Sequence, residues 1–167
     1  IYVIEGLVKI TLHTGPGKQI NLRIAKKGDF LALSSIFGES KYLTSALALT
    51  DTQTCMIDKE SLAKLLKENY ELSLQLSSQN FLQERRMIDL VKSLSFNQMR
   101  GKLAGALLYL SSIGDKDAYV FDFLTRQDIA DFAGISLESA VKFLKEFEKE
   151  NIIQLAGRHL SIIDQEK

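Results

Sequence analysis

The sequence predicts an α+β protein with a β-rich N-terminal part, one long helix and a C-terminal winged helix-turn-helix. Three observations predict it. Residues 1–58 alternate apolar and polar side chains in short runs broken by Gly and Asp turns. Residues 71–94 contain neither Gly nor Pro and space their apolar side chains by threes and fours. Residues 124–164 read as a capped helix, a Gly-centred break, a second helix and a short hairpin.

The first strands follow from period-two patterning. Val8, Ile10 and Leu12 alternate with Lys9, Thr11 and His13, and Ile20, Leu22 and Ile24 alternate with Asn21, Arg23 and Ala25. Between them Thr14-Gly15-Pro16-Gly17-Lys18 has hairpin chemistry, because Gly supplies the positive φ that tight turns require. Lys27-Gly28-Asp29 is a second turn, and strands are expected over 45–49 and 53–57, around Thr50-Asp51-Thr52. Many short strands joined by such turns indicate a small barrel or sandwich. Cys55 falls in the last of these strands and reads as core.

Leu62, Leu65 and Leu66 fit a short helix that ends near Asn69-Tyr70. In the long helix that follows, Leu76, Asn80, Gln83, Met87, Leu90 and Leu94 step by four and three, the spacing of a coiled-coil seam, with Ile88 and Val91 beside it. A helix buried in a monomer has the same pattern, so dimer seam and plain core both stand. The remainder reads as an apolar helix over 99–112, a short strand at Val120, Phe121 and Phe123, and the helix-turn-helix with its hairpin. The domains are therefore expected at 1–70, 71–96 and 97–167.

Composition narrows the chemistry. The chain has 167 residues, 46% hydrophobic, with 21 basic and 21 acidic side chains. Residues 97–167 hold nine Lys/Arg against eleven Asp/Glu, so a positive footprint for nucleic acid must be confined to one face. Cys55 is the only cysteine, which excludes an internal disulfide and suits a cytoplasmic location. No apolar run approaches the ~20 residues that span a bilayer, so no membrane role is expected. The sequence contains no metal-ligand spacing, no Gly-rich phosphate loop and no nucleophile–base pair, which argues against an enzyme and identifies no cofactor. The chain begins at Ile1, without Met and inside a strand pattern, so further residues are expected upstream.

The helix-turn-helix carries the function. Thr125-Arg126-Gln127-Asp128 is a capping pattern: the Thr hydroxyl accepts the Asp128 N–H, and the carboxylate sits where the helix dipole favours it. Ile129, Ala130 and Ala133 face inward, Gly134 stops the helix in the left-handed conformation, Ile135 inserts into the core and Ser136 caps the second helix. That helix buries Ala140, Leu144 and Phe147 and exposes Leu137, Glu138, Ser139, Lys142 and Lys145. Its first residues are those expected at base edges: Glu138 accepts from cytosine, and Lys142 donates to guanine or phosphate. In the hairpin that follows, Arg158 and His159 would sit near the DNA backbone as a wing. Thr125, Arg126, Gln127 and Ser136 complete the candidate DNA contacts.

The order of parts resembles the cyclic-AMP receptor and fumarate–nitrate reductase regulator (Crp–Fnr) family over essentially the whole chain. The match lies in Tyr2-Val3-Ile4-Glu5-Gly6-Leu7-Val8-Lys9, in Lys27-Gly28-Asp29-Phe30, and in Leu124-Thr125-Arg126-Gln127-Asp128-Ile129-Ala130 followed by Gly134-Ile135-Ser136. The resemblance implies a cyclic-nucleotide-binding-type β-roll, truncated at its start, a long dimerisation helix and a winged helix-turn-helix. It also implies a homodimer on a near-palindromic operator in duplex DNA, with RNA polymerase as a candidate partner.

The departures from the family pattern concern the ligand. The Glu that meets the ribose in cyclic-AMP-binding members falls on Leu33, and the Arg-Ser pair that clamps the cyclic phosphate falls on Leu43-Thr44. A buried phosphate without its bidentate Arg loses its main charge-assisted partner, so cyclic AMP is disfavoured. Ser34, Ser35, Tyr42, Thr44 and Ser45 are the polar residues left to hold an unknown small-molecule effector, or the site is vestigial. Met87 and Ile88 fall where the cyclic-AMP receptor presents hydroxyls to adenine, and favour plain dimer packing. Leu137 replaces the family's frequent Arg, which implies a changed operator. Iron–sulfur members place most cluster cysteines near the N-terminus, whereas Cys55 is the one cysteine here. The competing expectation is a ligand-sensing or protein-interaction module that has lost DNA binding, marked by an acidic face around Asp128, Asp131 and Glu138.

Overall fold

The computed structural model describes residues 1–33, 42–113, 120–157 and 159–164. Ser34, Ser35 and Arg158 lie outside them. The chain forms two compact units, Ile1–Leu12 with Ile24–Val91 and His13–Arg23 with Lys92–Lys167. This differs from the division expected at residues 70 and 96. Residues 13–23 join the second unit, and the long helix contributes to both.

In the first unit, β1 (Tyr2–Glu5) pairs antiparallel with β5 (Gln53–Cys55), and the register shifts between Val3 and Glu5. Another sheet of the chain, to which residues 13–23 also contribute, has the order β3-β2-β4, where β2 is Val8–Gly15, β3 is Lys18–Ala25 and β4 is Ser45–Ala48. Val3, Val8, Ile10, Ala25 and Leu31 form the core. The turn after β1 needs Gly6: its φ is +97°, and a Cβ there would lie 2.6 Å from the Asp51 carbonyl oxygen. Lys9 and Thr11, placed outward by simple alternation, are buried and have interaction partners.

Cys55 is exposed, a correction to its reading as core. It belongs to a three-residue strand that pairs with β1 in a two-stranded sheet, and all three of its residues face solvent. An apolar side chain in strand-like sequence is buried only where a second layer covers that face.

Asp58 caps α1 (Lys59–Glu68), its Oδ1 accepting from the Ser61 N–H at 2.8 Å, and Leu62 anchors the helix. Helix α2 runs from Tyr70 to Phe96. Leu76 and Leu90 of the expected seam are buried within the protomer, so they act as its core and not as a free seam. Asn80, Ile88 and Val91 are exposed. The exposed apolar row is instead Leu74, Phe81 and Ile88, at heptad spacing, with Leu82 and Val91 alongside. Among the described residues no helix is long and apolar enough to cross a membrane.

The second unit is built on α3 (Met99–Ser111), α4 (Arg126–Ala133) and α5 (Leu137–Lys149), followed by the antiparallel pair β6 (Ile153–Ala156) and β7 (His159–Ile162). Leu103, Leu110, Ile129, Phe132, Leu144 and Leu160 are its most deeply buried large side chains. The strand expected at Val120, Phe121 and Phe123 is a 3-10 helix over Val120–Phe123. Val120 and Phe121 are both buried, and neighbours in sequence share an interior in a tight helical turn but not in an alternating strand. Arg100 ties the start of α3 to the end of α5 through two bonds to Glu150, of 3.0 and 2.7 Å, and stacks over the Phe147 ring at 4.8 Å.

Candidate nucleic-acid interface

The interface rests on two helix starts and a hairpin turn. Thr125 closes a capping box on α4. Its Oγ1 accepts the Asp128 N–H at 3.1 Å, while Asp128 Oδ2 accepts the Thr125 N–H at 2.8 Å and the Thr125 hydroxyl at 2.6 Å. The box satisfies N–H groups that a helix start otherwise leaves open. Gly134 ends α4 at φ +63° and ψ +39°, and its N–H and that of Ile135 both return to the Ala130 carbonyl. A Cβ at Gly134 would overlap the Leu94 side chain, so the turn is tight on the side of α2 as well. Ser136 caps α5, its Oγ accepting the Ser139 N–H at 3.2 Å and donating to the Ser139 hydroxyl at 3.1 Å.

Helix α5 buries Ala140, Leu144 and Phe147. Leu137, Glu138, Lys142 and Lys145 are exposed at its start and middle, and Ser139 is half-buried. Glu138 is held below the ordinary carboxylate range by its own backbone N–H and the Ser136 hydroxyl, so it is an anion at neutral pH. Lys142 Nζ lies 4.0 Å from Glu146 and 5.5 Å from the Phe143 ring centre. Its side chain remains mostly exposed, free to turn to a phosphate or a base edge.

The wing is fastened to the helices by two polar contacts that sequence reading missed. Arg126 donates from Nη2 to the Gly157 carbonyl at 2.9 Å. Burial pulls the Arg126 guanidinium below its ordinary pKa, and nearby Glu148 opposes this. His159 Nδ1 lies 2.8 Å from Asp122 Oδ1 in the 3-10 helix. The sequence placed Arg126 and His159 against DNA and gave no sign of these partners. Gly157 is the one recoverable hint, since its φ of +64° fits a Gly at the hairpin turn.

Gln127 and Asp131 show a second difference. Gln127 Nε2 donates to Asp131 Oδ1 at 2.7 Å, and Gln19 Nε2 donates to Asp131 Oδ2 at 2.5 Å. Asn21, placed outward by alternation with Ile20 and Leu22, is fully buried and donates to the Asp128 carbonyl at 3.1 Å. Burial of a primary amide is tolerated where it is hydrogen-bonded, and this partner lies far away in sequence. Asp128 and Asp131 are themselves buried, so the acidic face expected around them and Glu138 does not form.

The candidate effector residues are not gathered in the same way. Tyr42 and Leu43 are 69% and 81% exposed, Thr44 and Ser45 are also exposed, and Leu33 is half-buried. Among the described residues no group of three or more His, Cys, Asp or Glu side chains could hold a metal ion.

Comparison with known proteins finds two family matches along the chain. Residues 1–69 match the cyclic nucleotide-binding domain family and residues 101–167 match the Crp-like helix-turn-helix domain family. The anaerobic regulatory protein of Bacillus subtilis is 29% identical over 161 residues, spanning 93% of this chain and 68% of that protein. The cAMP-activated global transcriptional regulator CRP of Salmonella typhimurium is 26% identical over 165 residues, spanning 96% and 79%. Among solved structures, FixK2 from Bradyrhizobium japonicum superposes with a TM-score of 0.84 at 22% identity, over 99% of this chain and 82% of that one.

Proposed function

Because the chain is a member of the Crp–Fnr family of DNA-binding transcriptional regulators, we propose that it acts in the cytoplasm as a homodimer on a near-palindromic operator, without cyclic AMP as its effector. The observation that carries the DNA reading is the joining of the α4 start to the wing turn by Arg126, beside a recognition helix that exposes Leu137, Glu138, Lys142 and Lys145. In a dimer the two α5 helices would enter successive major grooves about 34–36 Å apart. Thr125, Arg126, Ser136, Ser139 and the wing would hold phosphates, while Glu138 and Lys142 read base edges and Leu137 packs on a thymine methyl.

The row Leu74, Phe81 and Ile88 supports a dimer through α2, since exposed apolar side chains at heptad spacing are what a two-stranded helical seam requires. Against cyclic AMP stand Leu33 and Leu43 at the positions where the family's nucleotide-binding members use Glu and Arg. A neutral effector, or none, fits these residues better. RNA polymerase is the partner a regulator of this kind would engage. The competing reading, an interaction module without DNA binding, lacks the acidic face that would mark it, since Asp128 and Asp131 are buried. Selection of bound duplexes from a random library, followed by gel shift, tests the proposal. A palindromic consensus bound by a dimer and unaffected by cyclic AMP is the expected result, and a folded dimer that selects no sequence at low salt overturns it.

A further inference from the structure

The polar contacts from residues 13–23 onto α4 are more specific than packing needs. Asn21 is fully buried and spends its amide on the carbonyl of Asp128, in the first turn of α4. That carbonyl already lies in the helix ladder, so Asn21 uses its second lone pair and grips backbone, whatever side chain Asp128 carries. Three residues on, the buried Asp131 carboxylate divides its oxygens between Gln19 and Gln127. The turn held in this way is the one that carries Thr125, Arg126 and Gln127. Arg126 in turn holds the Gly157 carbonyl of the wing. One chain of hydrogen bonds therefore runs from Asn21 and Gln19 through α4 to the wing, all within the second unit.

We propose that Gln19 and Asn21 are positioning residues for DNA binding: they fix the first turn of α4 so that its N–H groups, Arg126 and the wing face the phosphates together. The inference rests on the DNA-binding reading above. A bidentate acceptor between two amides defines rotation as well as distance, because each oxygen has its own donor. Without these bonds α4 can still fold, capped by Thr125 and Asp128, but its first turn is free to rotate on the apolar core.

The test uses the full chain, the duplex that wild type selects most strongly from a random library, and a scrambled duplex of equal length. Asn21→Ala and Gln19→Glu are expected to weaken the selected duplex at least about fivefold, with melting still cooperative. Their plots of log affinity against log salt should be shallower by about one phosphate contact. A merely structural loss lowers the active fraction and leaves that slope alone. Asp131→Asn should restore much of the affinity of Gln19→Glu, since the new amide donates to the introduced carboxylate. If Asn21→Ala fails to fold, the half-exposed Gln19 decides through Gln19→Glu and its rescue. Unchanged affinity and slope in folded Gln19→Glu, or no rescue by Asp131→Asn, overturns the proposal. Failure of wild type itself to select a duplex overturns the DNA-binding reading instead.

Discussion

Arg126 and Gly157 are joined by a 2.9 Å hydrogen bond from guanidinium to carbonyl, which fixes the wing turn to the start of α4. The wing therefore does not rest on strand pairing alone. Two strands of four residues are marginal in isolation, and the anchor is what gives the turn a defined place. Replacing Arg126 by Ala should weaken operator binding about tenfold or more through the lost cation and the released wing. Arg126→Lys keeps the charge without the planar fork and should recover only part of it. Gel shifts give the affinity, and amide exchange at Gly157 reports whether the wing has loosened.

Glu138 governs a different property. Its carboxyl is held down by its backbone N–H and Ser136, so it is ionised throughout the neutral range. A depressed acid loses its charge, and with it the associated stability, only when pH falls through the folded-state value, which here lies below the ordinary 4.5. On the proposed reading, in which Glu138 faces a base edge, selectivity at that base pair should thus be flat between about pH 6 and 8. Glu138→Gln should change the preferred base there, by about 1–3 kcal/mol of discrimination, and have little effect elsewhere in the site. Repeating the duplex selection with the variant checks both.

Gly134 is a stability prediction. Gly134→Ala meets a positive φ and the Leu94 side chain at once. The backbone term alone costs about 1 kcal/mol, and the overlap adds about 1–3 kcal/mol more. Leu94→Ala should recover part of the second component and none of the first, and thermal melts of the double variant separate them.

Two positions on α2 should behave in opposite ways. Phe81, exposed in the heptad row, should tolerate Phe81→Glu as a folded chain but lose self-association, measured by sedimentation. Leu76 is buried within the protomer, so Leu76→Ala should cost about 2–5 kcal/mol of stability while leaving the exposed row intact.

What could be read in advance divides by the range of the interactions. The capping box, the Gly134 stop and the Ser136 cap each involve residues within a few positions of one another, and all three are visible as short strings of letters. The helix-turn-helix was legible for that reason. Asn21 was not, because the acceptor that permits its burial lies 107 residues later, and nothing in Ile20-Asn21-Leu22 points to it. The wing anchors have the same character: Arg126 and Gly157 are 31 residues apart, and His159 and Asp122 are 37 apart. On α2 the spacing announced an amphipathic helix, but a helix with two apolar faces leaves open which one turns inward. Leu76 and Leu90 took the interior. At Val120–Phe123 two adjacent bulky residues imitated a strand because short apolar runs have no period of their own.

The exposed thiol of Cys55 has a practical consequence. As the only cysteine in the chain, it offers one point of covalent attachment per protomer, at the side of β5 that faces solvent. Within these 167 residues a nitroxide or a fluorophore placed there marks each copy once. The spacing between two such labels in an assembled pair would then be a single distance, readable by dipolar spectroscopy or energy transfer before and after DNA is added.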